Sequence, residues 1–205
     1  MKVGGLLARR RIGLLAAIVM PLALSGLSAC SSAPKNDTFD LSASPAVETT
    51  ASARNRQLLI ADPSALKAVD SEQVLVRVSG SEIRYLSNAQ WSDKLSRMVQ
   101  SKLVEAFENT GKLGGVGKPG QGLAIDYQLI TDIRAFEIDT SGSDRAVVEI
   151  SAKLLNDRNG TVKAQRAFSA SVPTGGSTNE VYIRAMDRAF GQVTAEIVAW
   201  TMTQL

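Results

Sequence analysis

The chain has 205 residues, 23 of them basic and 20 acidic, with one cysteine and no histidine. This composition excludes a Ser-His-Asp triad and the commonest metal ligand, and a single thiol cannot close a disulfide within the chain. The formal charge of +3 sits at the start: without Lys2, Arg9, Arg10 and Arg11 the remainder holds 19 basic against 20 acidic residues. No Lys/Arg cluster of the kind that follows phosphates is left, so nucleic acid is not an expected partner.

Those four cations precede a run from Ile12 to Leu24 that is apolar or small and carries no charge. A basic start, a short apolar middle and a small-residue exit form a secretory signal peptide. A membrane-spanning helix would need roughly 20 apolar residues. This run is shorter, and Pro21 interrupts it.

Leu27-Ser28-Ala29-Cys30, at the exit, resembles a bacterial lipobox. The resemblance implies cleavage before Cys30, a diacylglyceryl group on its sulfur and an N-acyl group, such as palmitate, on its new amine. A lone cysteine can equally be a small buried hydrophobe. Here Ser31-Ser32-Ala33-Pro34 follows, and nothing nearby would bury the thiol. One acyl chain holds a membrane marginally and two hold it firmly, at about 0.8 kcal/mol per buried methylene. Ser31 stands where enteric inner-membrane retention signals place Asp, which by the same resemblance points to the outer membrane.

The expected organisation is therefore a signal peptide over 1–29, a lipidated cysteine with a flexible tether over 30–56, and a single folded body over 57–205. The tether is rich in Ser, Ala, Thr and Pro. Thr38 to Leu41 alternates enough for a short strand within it. Extended at about 3.3 Å per residue, Ser31 to Asp37 would hold the body some 20 Å from a bilayer.

Within the body, "QLLIADP", "QVLVRVSG" and "EIRYLS" read as strands. The period then changes: Trp91, Leu95, Met98, Val99, Leu103 and Phe107 recur at helical spacing, with Asn88 as the expected N-cap and Gly111 as the stop. Three long alternating segments follow, around Leu123–Phe136, Arg145–Leu155 and Thr161–Val172, the last two joined by an Asn159-Gly160 turn. A final helix opens on an expected capping box from Ser177 to Glu180. Together these predict an α+β fold: a largely antiparallel sheet packed by two long amphipathic helices.

Three features invite a chemical reading. Gly115, Gly117 and Gly120 satisfy G-x-G-x-x-G. The phosphate fingerprint needs a strand before and a helix after, the reverse of this order, so a mobile connector is expected. Asp126, Asp132 and Asp139 are the carboxylates an acid/base site would use, yet Asp126 and Asp132 alternate out of an apolar face, where solvated charges belong. Trp91 and Trp200 are both placed on helices, and Trp91 reads as a packing anchor rather than a ligand platform. No enzyme is expected, and no cofactor beyond the lipid groups on Cys30.

The lipobox, Phe39-Asp40-Leu41-Ser42, a strand pair, and Tyr85-Leu86-Ser87-Asn88-Ala89-Gln90-Trp91-Ser92-Asp93-Lys94-Leu95 leading into Leu103-Val104-Glu105-Ala106-Phe107 resemble the ABC-type transport auxiliary lipoproteins. These PqiC-like proteins accompany MCE lipid-transport systems. The first strand carries Phe39 where the family often has Tyr, which keeps the ring. The resemblance implies a noncatalytic lipoprotein anchored in the outer membrane and facing the periplasm. Its partners would be an MCE-domain protein and, indirectly, an ABC permease and ATPase, with Tyr85 and Trp91 as partner-contact or packing residues; homo-oligomerisation stays open. An assembly or scaffolding lipoprotein of an outer-membrane complex, with no part in lipid handling, is the competing expectation.

Overall fold

A computed structural model describes residues 36–42, 47 and 49–205. Its organising element is a 13-residue strand, β7 (Tyr127–Asp139). One edge of β7 pairs antiparallel with β8 (Arg145–Asn156), which pairs in turn with β9 (Thr161–Pro173). The other edge is shared by three short strands laid end to end and parallel to it: β2 (Ala53–Ile60) at Tyr127–Leu129, β3 (Ser64–Ala65) at Asp132–Ile133, and β4 (Gln73–Arg77) at Glu137–Asp139. β5 (Ile83–Trp91) returns antiparallel to β4, β1 (Asp37–Phe39) adds parallel to the end of β5, and β6 (Leu113–Gly117) adds parallel to β2. The α+β class holds. The long ladders are antiparallel, and five short parallel pairings make the sheet mixed.

Period-2 alternation decides which face of the sheet is covered. Leu129, Ile133, Phe136 and Ile138 of β7 face the same side as Val148, Ile150 and Leu154 of β8, and all are almost fully buried. Helices α1 (Leu95–Asn109) and α2 (Asn179–Gln204) lie on that side. An aromatic chain ties the layers together: Trp91 meets Phe136 edge-on at 5.9 Å, and Phe136 meets Phe190 of α2 at 5.7 Å. Edge-to-face pairs of this kind contribute about 0.5–1.5 kcal/mol beyond their burial.

Several boundaries differ from the sequence expectation, each for a local reason. Asn88 is not a helix cap. It lies inside β5 at φ +56°, a conformation that Asn tolerates better than most residues. Beyond it the alternation continues, with Ala89 and Trp91 buried and Gln90 between them, so Trp91 ends a strand rather than opening a helix. Helix α1 starts at Leu95 behind Lys94, which makes no side-chain cap. At α2 the N-cap is Thr178 rather than Ser177, again with no side-chain cap bond. Glu180 folds back instead, its carboxyl held below the ordinary range by its own backbone N–H and by the Thr178 side chain.

The glycine-rich segment is not a mobile connector, because it supplies strand β6. A Cβ on Gly114 would lie 2.5 Å from the Arg54 carbonyl oxygen, and one on Gly117 2.5 Å from Leu123 Cδ1. These glycines let backbone and side chains approach closely. Gly120 and Gly122, at φ +86° and +72°, then turn the chain toward β7.

Candidate docking surface

The side of the sheet away from the helices carries the exposed features that the fold leaves over. The strand registers align Tyr85, Leu75, Glu137, Val147 and Ser171 in one row across five strands. The next row holds Ile83, Arg77, Asp139, Arg145 and Pro173. Tyr85 and Ile83 are 39% and 38% exposed, and Leu66, in the loop after β3, is 78% exposed. Beside Tyr85 a groove of about 590 Å³ extends over Lys67, Asp70, Gln73 and Lys94. Large apolar side chains on a surface bordered by charges have the composition of a contact patch.

The two carboxylates in these rows, Glu137 and Asp139, already have partners. Glu137 is 4% exposed, and its carboxylate accepts from Nε and Nη2 of Arg77. That bidentate contact raises the guanidinium pKa above its ordinary value. The Asp139 carboxyl is held low by hydrogen bonds from the Ser141 hydroxyl and backbone N–H, with Arg77 and Arg145 adding to the effect. Both carboxylates act as fixed anions that position strands.

The other carboxylates singled out from sequence play similar parts. Asp126 departs from expectation. It is 8% exposed rather than solvated, because the chain before β7 folds back over β2. Its Oδ2 accepts the Gln57 backbone N–H at 3.0 Å and its Oδ1 accepts from Arg158 at 2.7 Å, with Arg56 at 3.8 Å. Asp132 is exposed; it accepts from the Ser64 hydroxyl and faces Arg134. Asp126 stands just before β7, Asp132 in its middle and Asp139 at its end, so the three do not converge on one reacting atom. Among the described residues no group of three or more His, Cys, Asp and Glu stands close enough to hold a metal.

Of the residues named from sequence, Tyr85 is partly exposed at the end of its row and Trp91 is not. Trp91 is 1% exposed, against Phe136, and belongs to the core. Leu27, Ser28, Ala29 and Cys30 lie outside the described residues. Ile83 and Leu66 were missed. Ile83 could have been found, since it stands two residues from Tyr85 and so shares its face in a strand. Leu66 carries no periodic signal.

Comparison with known proteins agrees with this architecture. A family model described as the ABC-type transport auxiliary lipoprotein component matches residues 39–198. An uncharacterised protein of Bradyrhizobium diazoefficiens is 28% identical over 165 residues, which is 80% of this chain; the chain spans 44% of that relative's length. A crystal structure of a DUF330 protein from Xanthomonas campestris superposes with a TM-score of 0.77 at 29% identity, covering 82% of this chain and 95% of that one. A hypothetical protein of Chlamydia trachomatis shares the fold alone, with a TM-score of 0.55 at 10% identity over 73% of this chain and 96% of that one. With residues 39–198 matched by one family model, this chain belongs to the ABC-type transport auxiliary lipoprotein family.

Proposed function

We propose that this protein is a noncatalytic, lipid-anchored component of an ABC transporter of the MCE type, held at the outer membrane and facing the periplasm, where it docks the far end of an MCE conduit for phospholipid. The family match over residues 39–198 is the observation that carries this reading. The lipobox at Leu27–Cys30 supplies the anchor: acyl chains on Cys30 and no other cofactor. The body supplies a surface and no reacting constellation. Tyr85 and Ile83 offer apolar contact, while Arg77 and Glu137 in the same rows satisfy each other. Confining the body to a membrane raises its effective concentration at a membrane-spanning partner, so a modest patch suffices.

In-cell crosslinking followed by purification of the lipoprotein tests the reading. The MCE-domain protein, and through it the permease and ATPase, should co-purify from wild-type cells, and Tyr85→Ala with Ile83→Ser should reduce the yield. Recovery of only an outer-membrane assembly complex, with no MCE protein, would replace transport by a scaffolding role.

A further inference from the structure

Among the described residues the sheet ends at β9, which pairs with β8 alone. Thr174 donates its backbone N–H to the Asp144 carbonyl at 3.1 Å, which continues the β8–β9 ladder by one residue pair. Antiparallel pairing alternates, so even-numbered residues of β9 turn their N–H and C=O groups toward β8 and odd-numbered ones turn them away. Gln165, Ala167 and Ser169 therefore present backbone donors and acceptors to the free edge, whereas the Ser171 carbonyl already accepts from Nη2 of Arg145 at 3.2 Å. Pro173 falls in the same phase, where its missing N–H costs the ladder nothing.

Edge strands are ordinarily guarded by charge, proline, bulges or a covering element. On β9 the guards stand at the ends. A register shift opposite Leu154–Leu155, with Lys163 and Arg166, occupies one end, and Pro173 the other. Ala167 to Val172 between them is uncharged, and its outward side chains are small.

Alongside this edge runs a groove of about 420 Å³ between β9 and the last turns of α2, lined by Arg166, Glu196, Ala199, Trp200 and Thr203. Trp200 stands edge-on to the buried Phe168 at 5.5 Å, leaving part of its indole on the groove. The Arg166 guanidinium lies over the Phe168 ring at 5.0 Å, and among the described residues no carboxylate pairs with it. An edge strand and an adjacent helix with an apolar pocket between them is the geometry into which an extended peptide lays itself as an added strand.

We infer that β9 and α2 form a β-addition site for an extended, acidic segment of a partner protein. The partner's backbone pairs with Gln165, Ala167 and Ser169, an apolar side chain enters the groove against Trp200, and a carboxylate meets Arg166. The charge selects the occupant: β9 holds two cations and no acid over its 13 residues, so a second copy of the strand would bring only like charge. The site lies on the opposite edge of the sheet from Tyr85, and it does not depend on which transporter the protein serves.

Hydrogen–deuterium exchange on the full-length protein, purified from membranes in detergent, tests this with two seven-residue probes. One is acetyl-Thr-Val-Glu-Val-Phe-Val-Thr-amide, and the other has Lys in place of Glu. The acidic peptide should slow exchange across residues 165–171 by about threefold or more, the lysine peptide should not, and residues 83–91 should be unaffected by either. Ser169→Pro removes an outward donor while sparing the β8 ladder, and Arg166→Glu reverses the charge. Each should abolish the protection while the melting temperature confirms the fold. Equal protection by both peptides, protection elsewhere only, or none would overturn the site. Protection of 165–171 that grows with protein concentration in the absence of peptide would assign the edge to a second copy and overturn it equally.

Discussion

Oδ1 of Asp70 accepts the backbone N–H of Ser96 at 3.1 Å, capping a helix from a loop distant in the chain. The Ser71 carbonyl takes the neighbouring Leu95 N–H at 3.3 Å. Helix α1 leaves its first amides unpaired unless something accepts them, and Lys94 at its own N-cap position carries no acceptor. The loop that supplies the cap also lines the groove beside Tyr85, so the end of α1 and the candidate docking surface are fixed by the same residue.

Replacing Asp70 with Ala should therefore cost about 1 kcal/mol and lower the melting temperature by about 2–4 °C. Asp70→Asn should retain most of the stability, because an amide oxygen still accepts the bond. Adding Lys94→Ser to Asp70→Ala should recover part of the loss by restoring a local cap. Thermal melts of the four proteins check this, and no recovery in the double variant would show that the Asp70 contact acts otherwise than as a cap.

This cap also marks where the sequence stops being legible. The two helices, the three long strands and the Asn159-Gly160 turn follow from periodicity and turn chemistry, which act over a few residues. The start of α1 does not, because its cap comes from Asp70. Strand β3 is two residues long and exists only because β7 offers an edge between β2 and β4. The glycines of β6 looked like a loop since their purpose, close approach to Arg54 and Leu123, is tertiary. Tyr85 was reached only through the family resemblance, and its neighbourhood depends on registers across five strands that no local pattern encodes.

The lipid anchor proposed at Cys30 has a direct test. Cys30→Ala should release the body from the membrane fraction, and mass spectrometry of the wild-type protein should find an acylated N-terminal cysteine. Loss of two or more acyl chains removes most of the binding free energy, at about 0.8 kcal/mol per methylene, so release should be nearly complete. A Cys30→Ala protein that stays in the membrane, through a salt wash as well, would count against the anchor.

Glycines with different neighbours should respond in opposite directions. Gly114→Ala forces a methyl to 2.5 Å from a backbone oxygen that cannot swing away, so β2 and β6 must separate. A loss of about 1–3 kcal/mol is expected, as for other overpacked sites. Gly191 lies within α2, and a Cβ there meets nothing within 4 Å. Gly191→Ala should gain about 0.5–1 kcal/mol from helix propensity. Denaturant melts of both variants separate the steric requirement from a general intolerance of change.

Arg77 and Glu137 should be unequal under substitution. Removing Glu137 leaves a guanidinium whose side chain is 32% exposed and can find water, while removing Arg77 leaves a carboxylate with only 6% exposure and no partner. Breaking a buried pair from the exposed side therefore costs more, about 3 kcal/mol for Arg77→Ala, whereas Glu137→Gln should cost about 1 kcal/mol. Comparable losses in urea melts would mean that water already reaches Glu137.

Asp126 gives the fold a defined acid sensitivity. Its carboxyl is held below the ordinary value of 3.8, chiefly by the Gln57 backbone N–H and then by Arg158 and Arg56, against the opposing effect of burial. A depressed folded-state pKa contributes stability that is complete above the unfolded value and disappears as pH falls through the folded one. Asp126→Ala should thus be about 2 kcal/mol less stable than wild type at pH 7, since it strands the Gln57 amide as well as losing the charge pairs. The gap should narrow as pH drops below about 4, where the unfolded chain takes up a proton at Asp126 before the folded carboxyl does. Asp126→Asn, which can still accept from Gln57, should fall between the two at pH 7. Urea melts of the three proteins at pH 7 and pH 3 decide the matter: a gap that stays constant across that range would mean the role of Asp126 is steric and its charge incidental.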